Sequence, residues 1–315
     1  MRSQSSLATL LIGMAFTGLV VIAAVASQRE AVEEQLAVSM DNATRLVPLP
    51  NHPDFAGEAL PMDDMDVRER LSKELQVNTY WQSNTLQLLQ RSGRYFPVIE
   101  GILRRKGIPE DFKYLAVAES GLDWVVSPAG ATGMWQLMKA TAQESGLEVN
   151  ADVDERYHLI KSTEAACDYL LAAHERFDSW TLAAASYNMG KAGLARQLSR
   201  QGESSYYDLT LNAETKRYMF RIVALKTIMQ RARDYGFIMA ADDYWLPLEQ
   251  QLVTVDGAVL KWRDFAHEHG ISYKTLKRFN PWLRSADLSN PLGHTYQVAL
   301  PVIDGQVEQR PADHD

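Results

Sequence analysis

Apolar and polar positions follow a helical period over most of the middle of this 315-residue chain. Between residues 66 and 242 no convincing alternating pattern of the kind expected for a strand interrupts that period. We therefore predict an all-helical domain over 66–242. The predicted helices cover residues 66–92, 95–106, 109–121, 132–144, 162–177, 181–188 and 212–235.

The pattern changes after residue 243. Residues 251–255 alternate as a strand does, residues 294–301 do so again, and two short helical stretches at 260–269 and 272–279 lie between them. This order predicts a small β-α-α-β domain over 243–304, followed by a polar tail at 305–315. The expected fold class is therefore mainly α, an all-helical domain followed by a small α+β domain.

The amino-terminal pattern predicts export. Arg2 precedes an uncharged run that is strongly apolar from Leu7 to Ala26. This is typical of a signal peptide, and the run is also long enough to be a membrane anchor, so both interpretations of residues 1–26 stay open. Either one places the rest of the chain in the cell envelope, in the periplasm or on the outer face of a membrane. Residues 27–65 are acidic and contain four prolines, which predicts a linker.

Composition excludes several classes of partner. The formal net charge of −8 argues against binding to nucleic acid. A single cysteine, Cys167, excludes an internal disulfide, and its apolar neighbours favour a small buried residue. The seven histidines show no ligand spacing, so we expect neither a metal nor a cofactor. The oligomeric state is left open.

Glu119 is the candidate catalytic residue. Its predicted helix begins at Pro109 and has Gly121 as its predicted C-cap, so Glu119 lies at the negative end of that helix, after an apolar run. Both surroundings disfavour the carboxylate and should raise the pKa of Glu119. A carboxyl group that keeps its proton near neutral pH can act as a general acid. The alternative is a glutamate at a frayed helix end that points to water.

Three further clusters carry candidate binding residues. Residues 127–137 contain small residues, the apolar pair Met134–Trp135 and a few polar side chains, a composition that suits a sugar ring. Residues 183–190 and 214–218 place aromatic hydroxyl groups beside amide or charged groups. Each cluster has a structural alternative: a tight turn with a core tryptophan, a core tyrosine with a capping asparagine, and a charged helix face.

Taken in order, these motifs resemble the lytic murein transglycosylases of the goose-type lysozyme superfamily, also called the SLT type. Residues 91–95 and 107–115 resemble the membrane-bound D-type branch of that group. The motifs are Glu119-Ser120, Gly133-Met134-Trp135-Gln136, Tyr187-Asn188-x-Gly190 and Glu214-Thr215-x-x-Tyr218. The resemblance implies a lysozyme-like catalytic domain over 66–242.

The resemblance also implies a reaction. Peptidoglycan glycan strands would be cleaved between N-acetylmuramic acid and N-acetylglucosamine without water, leaving a 1,6-anhydro end. Glu119 would act first as acid and then as base, and no second carboxylate is assigned. The implied substrate-binding residues are Ser120, Ser127, Gln136, Tyr187, Asn188 and Tyr218. A lysozyme-type hydrolase and a non-catalytic wall-binding protein are the alternatives.

Residues 271–283 resemble part of a LysM glycan-binding module. Where such modules usually have Gly-Asp-Thr-Leu, this chain has Asp256-Gly257-Ala258-Val259-Leu260. The resemblance implies binding of N-acetylglucosamine chains, and a purely structural cap on the catalytic domain is the alternative.

Overall fold

Residues 45–302 of the chain are described by a computed structural model. The predicted signal or anchor segment 1–26, the first part of the predicted linker and the tail 305–315 lie outside the described residues. Within residues 45–302, none of the helices combines the length and the apolar character that crossing a bilayer requires.

Helices form the larger part of the described chain, as predicted. The helices of this domain are α1 (Met65–Tyr80), α2 (Gln82–Lys106), α3 (Lys113–Ser120), α4 (Lys139–Glu144), α5 (Leu159–Phe177), α6 (Trp180–Met189), α7 (Lys191–Gln201) and α8 (Ala213–Gln230). Helix α8 is central, since it contacts α1, α3 and α6, and most of its residues from Tyr218 to Ile228 are buried.

The predicted helix boundaries are wrong in two regions, 66–106 and 132–144. The first helical stretch breaks at Trp81, and α2 runs without interruption through Gly93. A Cβ atom at Gly93 would lie 2.8 Å from the Cβ atom of Tyr244, so this glycine permits a close approach between segments and does not end the helix. The helix predicted over 132–144 is reduced to α4, because the backbone before it turns through Gly133 (φ +83°) and Gln136 (φ +48°). Helix α7 was not predicted.

The second half of the predicted linker packs against the helical domain. Two short antiparallel strands, β1 (Asp54–Phe55) and β2 (Glu58–Ala59), form a hairpin, and Phe55 is fully buried. Its ring lies edge-on to that of Phe112, with 5.0 Å between the centroids. The prolines exclude long regular elements here, but they do not prevent an irregular segment from packing.

The acidic residues of this segment have structural partners. The Asp54 carboxylate lies 2.8 Å from the ammonium group of Lys226 in α8. Glu58 accepts hydrogen bonds from the backbone N–H groups of Trp180 (2.6 Å) and Thr181 (2.9 Å), the first residues of α6. A carboxylate at a helix N-terminus stabilises the helix, and these bonds keep the pKa of Glu58 below its ordinary value against the opposing effect of burial.

The C-terminal lobe has the predicted β-α-α-β order. It contains β3 (Gln250–Val255), α9 (Trp262–Glu268), α10 (Tyr273–Phe279) and β4 (Tyr296–Pro301). The two strands are antiparallel, with Gln250 opposite Pro301 and Val255 opposite Tyr296. Trp262, Leu276 and Val298 are fully buried in its core.

This lobe shares its core with the segment 152–157 of the helical domain. Val153 and Tyr157 belong to the same buried cluster as Trp262 and Trp282. Two backbone hydrogen bonds join the same surfaces, from Asp154 N–H to the Trp282 carbonyl (2.9 Å) and from Arg284 N–H to the Asp152 carbonyl (2.8 Å). The lobe is therefore packed directly on the helical domain.

Candidate active site

A cleft of about 610 Å³ opens beside the C-terminal end of α3. Its walls come from α3, the loop 127–138, α6 and α8. Six of the seven predicted site residues line this cleft: Glu119, Ser127, Gln136, Tyr187, Asn188 and Tyr218. The motifs, which are far apart in sequence, thus meet in one place.

Glu119 lies in the last turn of α3, and Gly121 follows it in the left-handed conformation that ends the helix (φ +65°). Burial raises the pKa of the Glu119 carboxyl group to about 7. The Tyr218 hydroxyl donates a hydrogen bond to Glu119 Oε1, and this bond and the charge of Arg221 oppose that rise, whereas Glu214 adds to it. Near neutral pH both protonation states of Glu119 are therefore accessible.

The two tyrosines contact different partners. Tyr218 is bonded to Glu119, but the hydroxyl of Tyr187 donates to the carbonyl of Trp135 at 2.7 Å. Burial raises the pKa of both phenols well above the usual value, so both keep their protons. Tyr218 thus acts on the carboxyl group, whereas Tyr187 ties α6 to the loop that faces it.

Ser120 contacts the same loop and is not among the residues that line the cleft. Its hydroxyl donates to the Met134 carbonyl at 2.8 Å and accepts from the Asp123 N–H at 3.3 Å. The hydroxyl group next to Glu119 in sequence therefore fixes the loop against α3. A direct contact of Ser120 with substrate stays a prediction.

The loop 127–138 has a tightly constrained backbone. A Cβ atom at Gly133 would lie 2.1 Å from the Arg156 carbonyl oxygen, which leaves no room for a side chain. The Gln136 amide nitrogen donates to the carbonyl groups of Gly133 (2.7 Å) and Val125 (3.0 Å). Ser127 closes the turn, because its Oγ accepts from the Ala131 N–H at 3.0 Å. These bonds hold the loop open towards the cleft.

Met134 and Trp135 are core residues. Both are fully buried, and the indole N–H of Trp135 donates to the Thr163 hydroxyl at 2.8 Å. They therefore offer no apolar face to a sugar, which confirms the structural alternative for this pair. Cys167 is buried as well, and burial raises the pKa of its thiol to about 12.

Asn188 joins α6 to α8 across the cleft. Its amide nitrogen donates to Glu214 Oε1 at 3.1 Å, and its amide oxygen accepts from the Thr215 hydroxyl at 2.7 Å. Both ends of this side chain are thus engaged by protein groups.

Sequence reasoning missed three charged residues of the cleft: Glu214, Arg217 and Arg221. Glu214 was part of a motif but had no assigned role. The two carboxylates that follow Glu119 in sequence before the end of α4, Asp123 and Glu144, do not line this cleft, and Asp123 pairs with Arg91 at 2.8 Å. The helical spacing of the three missed residues with Tyr218 was the signal that could have found them.

The fold and the site define a lysozyme-like domain with a protonatable carboxyl group in an open cleft. The family model of the transglycosylase SLT domain matches residues 97–210. That of the soluble lytic transglycosylase C-terminal LysM-like domain matches residues 251–304. Residues 97–210 are thus a transglycosylase SLT domain, and residues 251–304 are a LysM-like domain of the kind found at the C-terminus of soluble lytic transglycosylases.

Curated relatives agree with this assignment. The membrane-bound lytic murein transglycosylase D of Escherichia coli K12 is 28% identical over 258 residues, which are 79% of this chain and 56% of that protein. The protein of the same name from E. coli O6:H1 gives the same values. The chain thus spans little more than half the length of these relatives.

Proposed function

We propose that this protein is a peptidoglycan lytic transglycosylase that acts in cell-wall remodelling. It would cleave the β-1,4 bond between N-acetylmuramic acid and N-acetylglucosamine and leave a 1,6-anhydro-N-acetylmuramic acid end. The observation that carries this proposal is the Glu119 carboxyl group, whose pKa is raised to about 7 in a cleft of the SLT family. A residue with that pKa can both donate and accept a proton near neutral pH.

The reaction has two proton transfers. Protonated Glu119 first gives its proton to the glycosidic oxygen as the bond from C1 to that oxygen breaks. The resulting carboxylate is stabilised by the Tyr218 hydroxyl and by the charge of Arg221. It then takes the proton of the C6 hydroxyl, whose oxygen closes on C1. No water is consumed, and Glu119 returns to its starting state.

The other predicted residues would shape the cleft and bind sugar. Because the Gln136 amide nitrogen is already engaged, its amide oxygen is the group that would accept a hydrogen bond from the glycan. Ser127 lies on the same wall. The main role of the remaining residues would be to fix the positions of α3, α6, α8 and the loop 127–138 relative to one another. These residues are Tyr187, Asn188 and Ser120.

A lysozyme-type hydrolase is a second candidate because Glu214 lines the same cleft. In that mechanism a second carboxylate activates water or forms a covalent intermediate. We expect Glu214 not to do so, since it is held by Asn188 on the α8 wall. Glu214→Gln should therefore retain activity within about tenfold of the wild type, and the products should still carry the anhydro end.

Mass spectrometry of the soluble products from purified sacculi tests this expectation, since the anhydro end is one water lighter than a reducing end. Reducing ends from the wild type, together with an inactive Glu214→Gln variant, would establish the hydrolase instead.

Removing the Tyr218 hydroxyl should shift the pH dependence of the reaction. The bond from Tyr218 stabilises the Glu119 carboxylate, so Tyr218→Phe should raise the pKa of Glu119 above its value of about 7. Since the first step needs the protonated acid, the alkaline limb of kcat/KM should move to higher pH by about one pH unit. A pH–rate profile measures this. An unmoved alkaline limb would show that the bond does not tune the acid.

The remaining assignments extend the same proposal. Residues 66–242 would form the catalytic domain, with the segment that begins at Val47 packed against it, and residues 243–304 would form a lobe that binds N-acetylglucosamine chains or caps that domain. An envelope location, with anchoring through residues 7–26 as one option, fits the name of the relatives, which are called membrane-bound.

A further inference from the structure

Helix α8 presents a charged stripe to the cleft. Glu214, Arg217, Tyr218 and Arg221 are spaced at i, i+3, i+4 and i+7, so they share one face, and all four line the cleft. Helix α8 lies outside both residue ranges matched by the family models, 97–210 and 251–304. Glu214 and Tyr218 belong to the motif described above, whereas Arg217 stands at a position that the motif leaves open and Arg221 lies beyond it.

Arg217 is held in place by a buried carboxylate. Its Nε and Nη2 atoms lie 2.8 and 3.1 Å from the two carboxylate oxygens of Glu74 in α1. The Glu74 side chain is 2% exposed, whereas that of Arg217 is 51% exposed. A bidentate pair of this kind orients the planar guanidinium group, and its remaining N–H donors stay available.

Arg221 adds a second cation one helical turn further along. It is partly buried, and its charge acts on both Glu119 and Tyr218. Within residues 45–302 no carboxylate lies at ion-pair distance from Arg221. The two carboxyl groups that line the same cleft have other partners, since Glu214 accepts a hydrogen bond from Asn188 and Glu119 accepts one from Tyr218.

An N-acetylated sugar chain is uncharged, so its hydroxyl and carbonyl oxygens can accept hydrogen bonds from two guanidinium groups but cannot balance their charge. The stem peptides attached to its muramic acid residues carry free carboxylates close to the scissile bond, and a guanidinium group binds a carboxylate in a planar, bidentate manner. We propose that Arg217, with Arg221 behind it, binds a stem-peptide carboxylate, so that the enzyme selects glycan strands whose stems are present and negatively charged. This inference rests on the proposed function and names the substrate class of the same cleft.

The test combines a change in the protein with a change in the substrate. Sacculi with natural stems are compared with sacculi whose stem carboxylates have been converted to amides. For the wild type, amidation should lower kcat/KM by about tenfold, mainly through a higher KM. Arg217→Gln should show about the same loss on natural sacculi and no further loss on amidated ones. Lys216→Gln is the matched control, because it removes the same charge from the neighbouring position of α8, outside the cleft, and should discriminate as the wild type does.

Two results would overturn the inference: equal wild-type kcat/KM on both substrates, or an Arg217→Gln variant that still discriminates tenfold. Because Arg217→Gln leaves the buried Glu74 without its cation, Arg217→Lys is measured beside it and thermal melting monitors both. The lysine variant keeps the positive charge but loses the planar guanidinium group with its paired N–H donors. Its ratio of kcat/KM on natural sacculi to that on amidated sacculi should therefore be at least threefold smaller than the ratio of the wild type. If the wild type releases no product from either substrate, the proposed function fails. Cleavage without discrimination removes this inference alone.

Discussion

Replacing Glu119 with glutamine is expected to reduce the release of soluble products from sacculi by about a thousandfold or more. The same carboxyl group gives the proton to the leaving oxygen and takes one from the attacking hydroxyl, and glutamine can do neither. Chromatography of released muropeptides measures the effect. Glu214→Gln is the matched control, since it is the same substitution in the same cleft. Retention of more than a tenth of the wild-type rate by Glu119→Gln would remove the mechanism.

The same variant should show how much the Glu119 carboxyl group lowers the stability of the folded protein as the pH rises. The pKa of Glu119 is raised from 4.5 to about 7 on folding, so the unfolded chain loses this proton at lower pH than the folded protein does. The wild type should thus lose stability relative to Glu119→Gln as pH rises from about 4.5 to 7. Above pH 7 the variant should be the more stable protein, and thermal melting at pH 5 and pH 8 shows the sign.

Replacing Phe55 with alanine is expected to lower the free energy of unfolding by about 3–5 kcal/mol. Phe55 is fully buried against Phe112, and Phe112 is the residue immediately before α3. For a domain of this size the melting temperature should fall by roughly 10 °C. His52→Ala, at an exposed position of the same segment, should change it little. A melting temperature of Phe55→Ala within the error of the wild type would mean that this segment contributes nothing to the fold.

Local chemistry made Glu119 predictable from sequence. Gly121, two residues after Glu119, ends the helix, and an uninterrupted run of buried residues precedes Glu119. The raised pKa follows from those neighbours alone, and the structure adds the partner, Tyr218, which lies 99 residues further along the chain.

The loop before α4 and the segment around Phe55 could not be predicted in the same way. Gln136 adopts a left-handed conformation that is uncommon for a non-glycine residue, so its side chain gives no sign of the turn. The burial of Phe55 depends on Phe112, which is distant in sequence. The proline and acidic content of residues 27–65 predicted a linker, because composition carries no information about tertiary contacts such as that between Phe55 and Phe112.

The charged stripe on α8 could be predicted from the sequence only in part. The spacing of Glu214, Arg217 and Arg221 is visible in the sequence, and it predicts that they share a face. Which face of α8 borders the cleft depends on the packing of α1, α3 and α6 around it. Periodicity therefore identifies the set of residues, and tertiary contacts decide what that set does.

The core shared by the C-terminal lobe and residues 152–157 limits how this protein can be recombined. A chimera joined near residue 243 with a lobe from another enzyme would leave Val153 and Tyr157 without their native cover. It would also remove the partners of the Asp152 carbonyl and the Asp154 N–H. A lobe exchange, in the laboratory or in evolution, therefore has to bring a matching 152–157 segment with it.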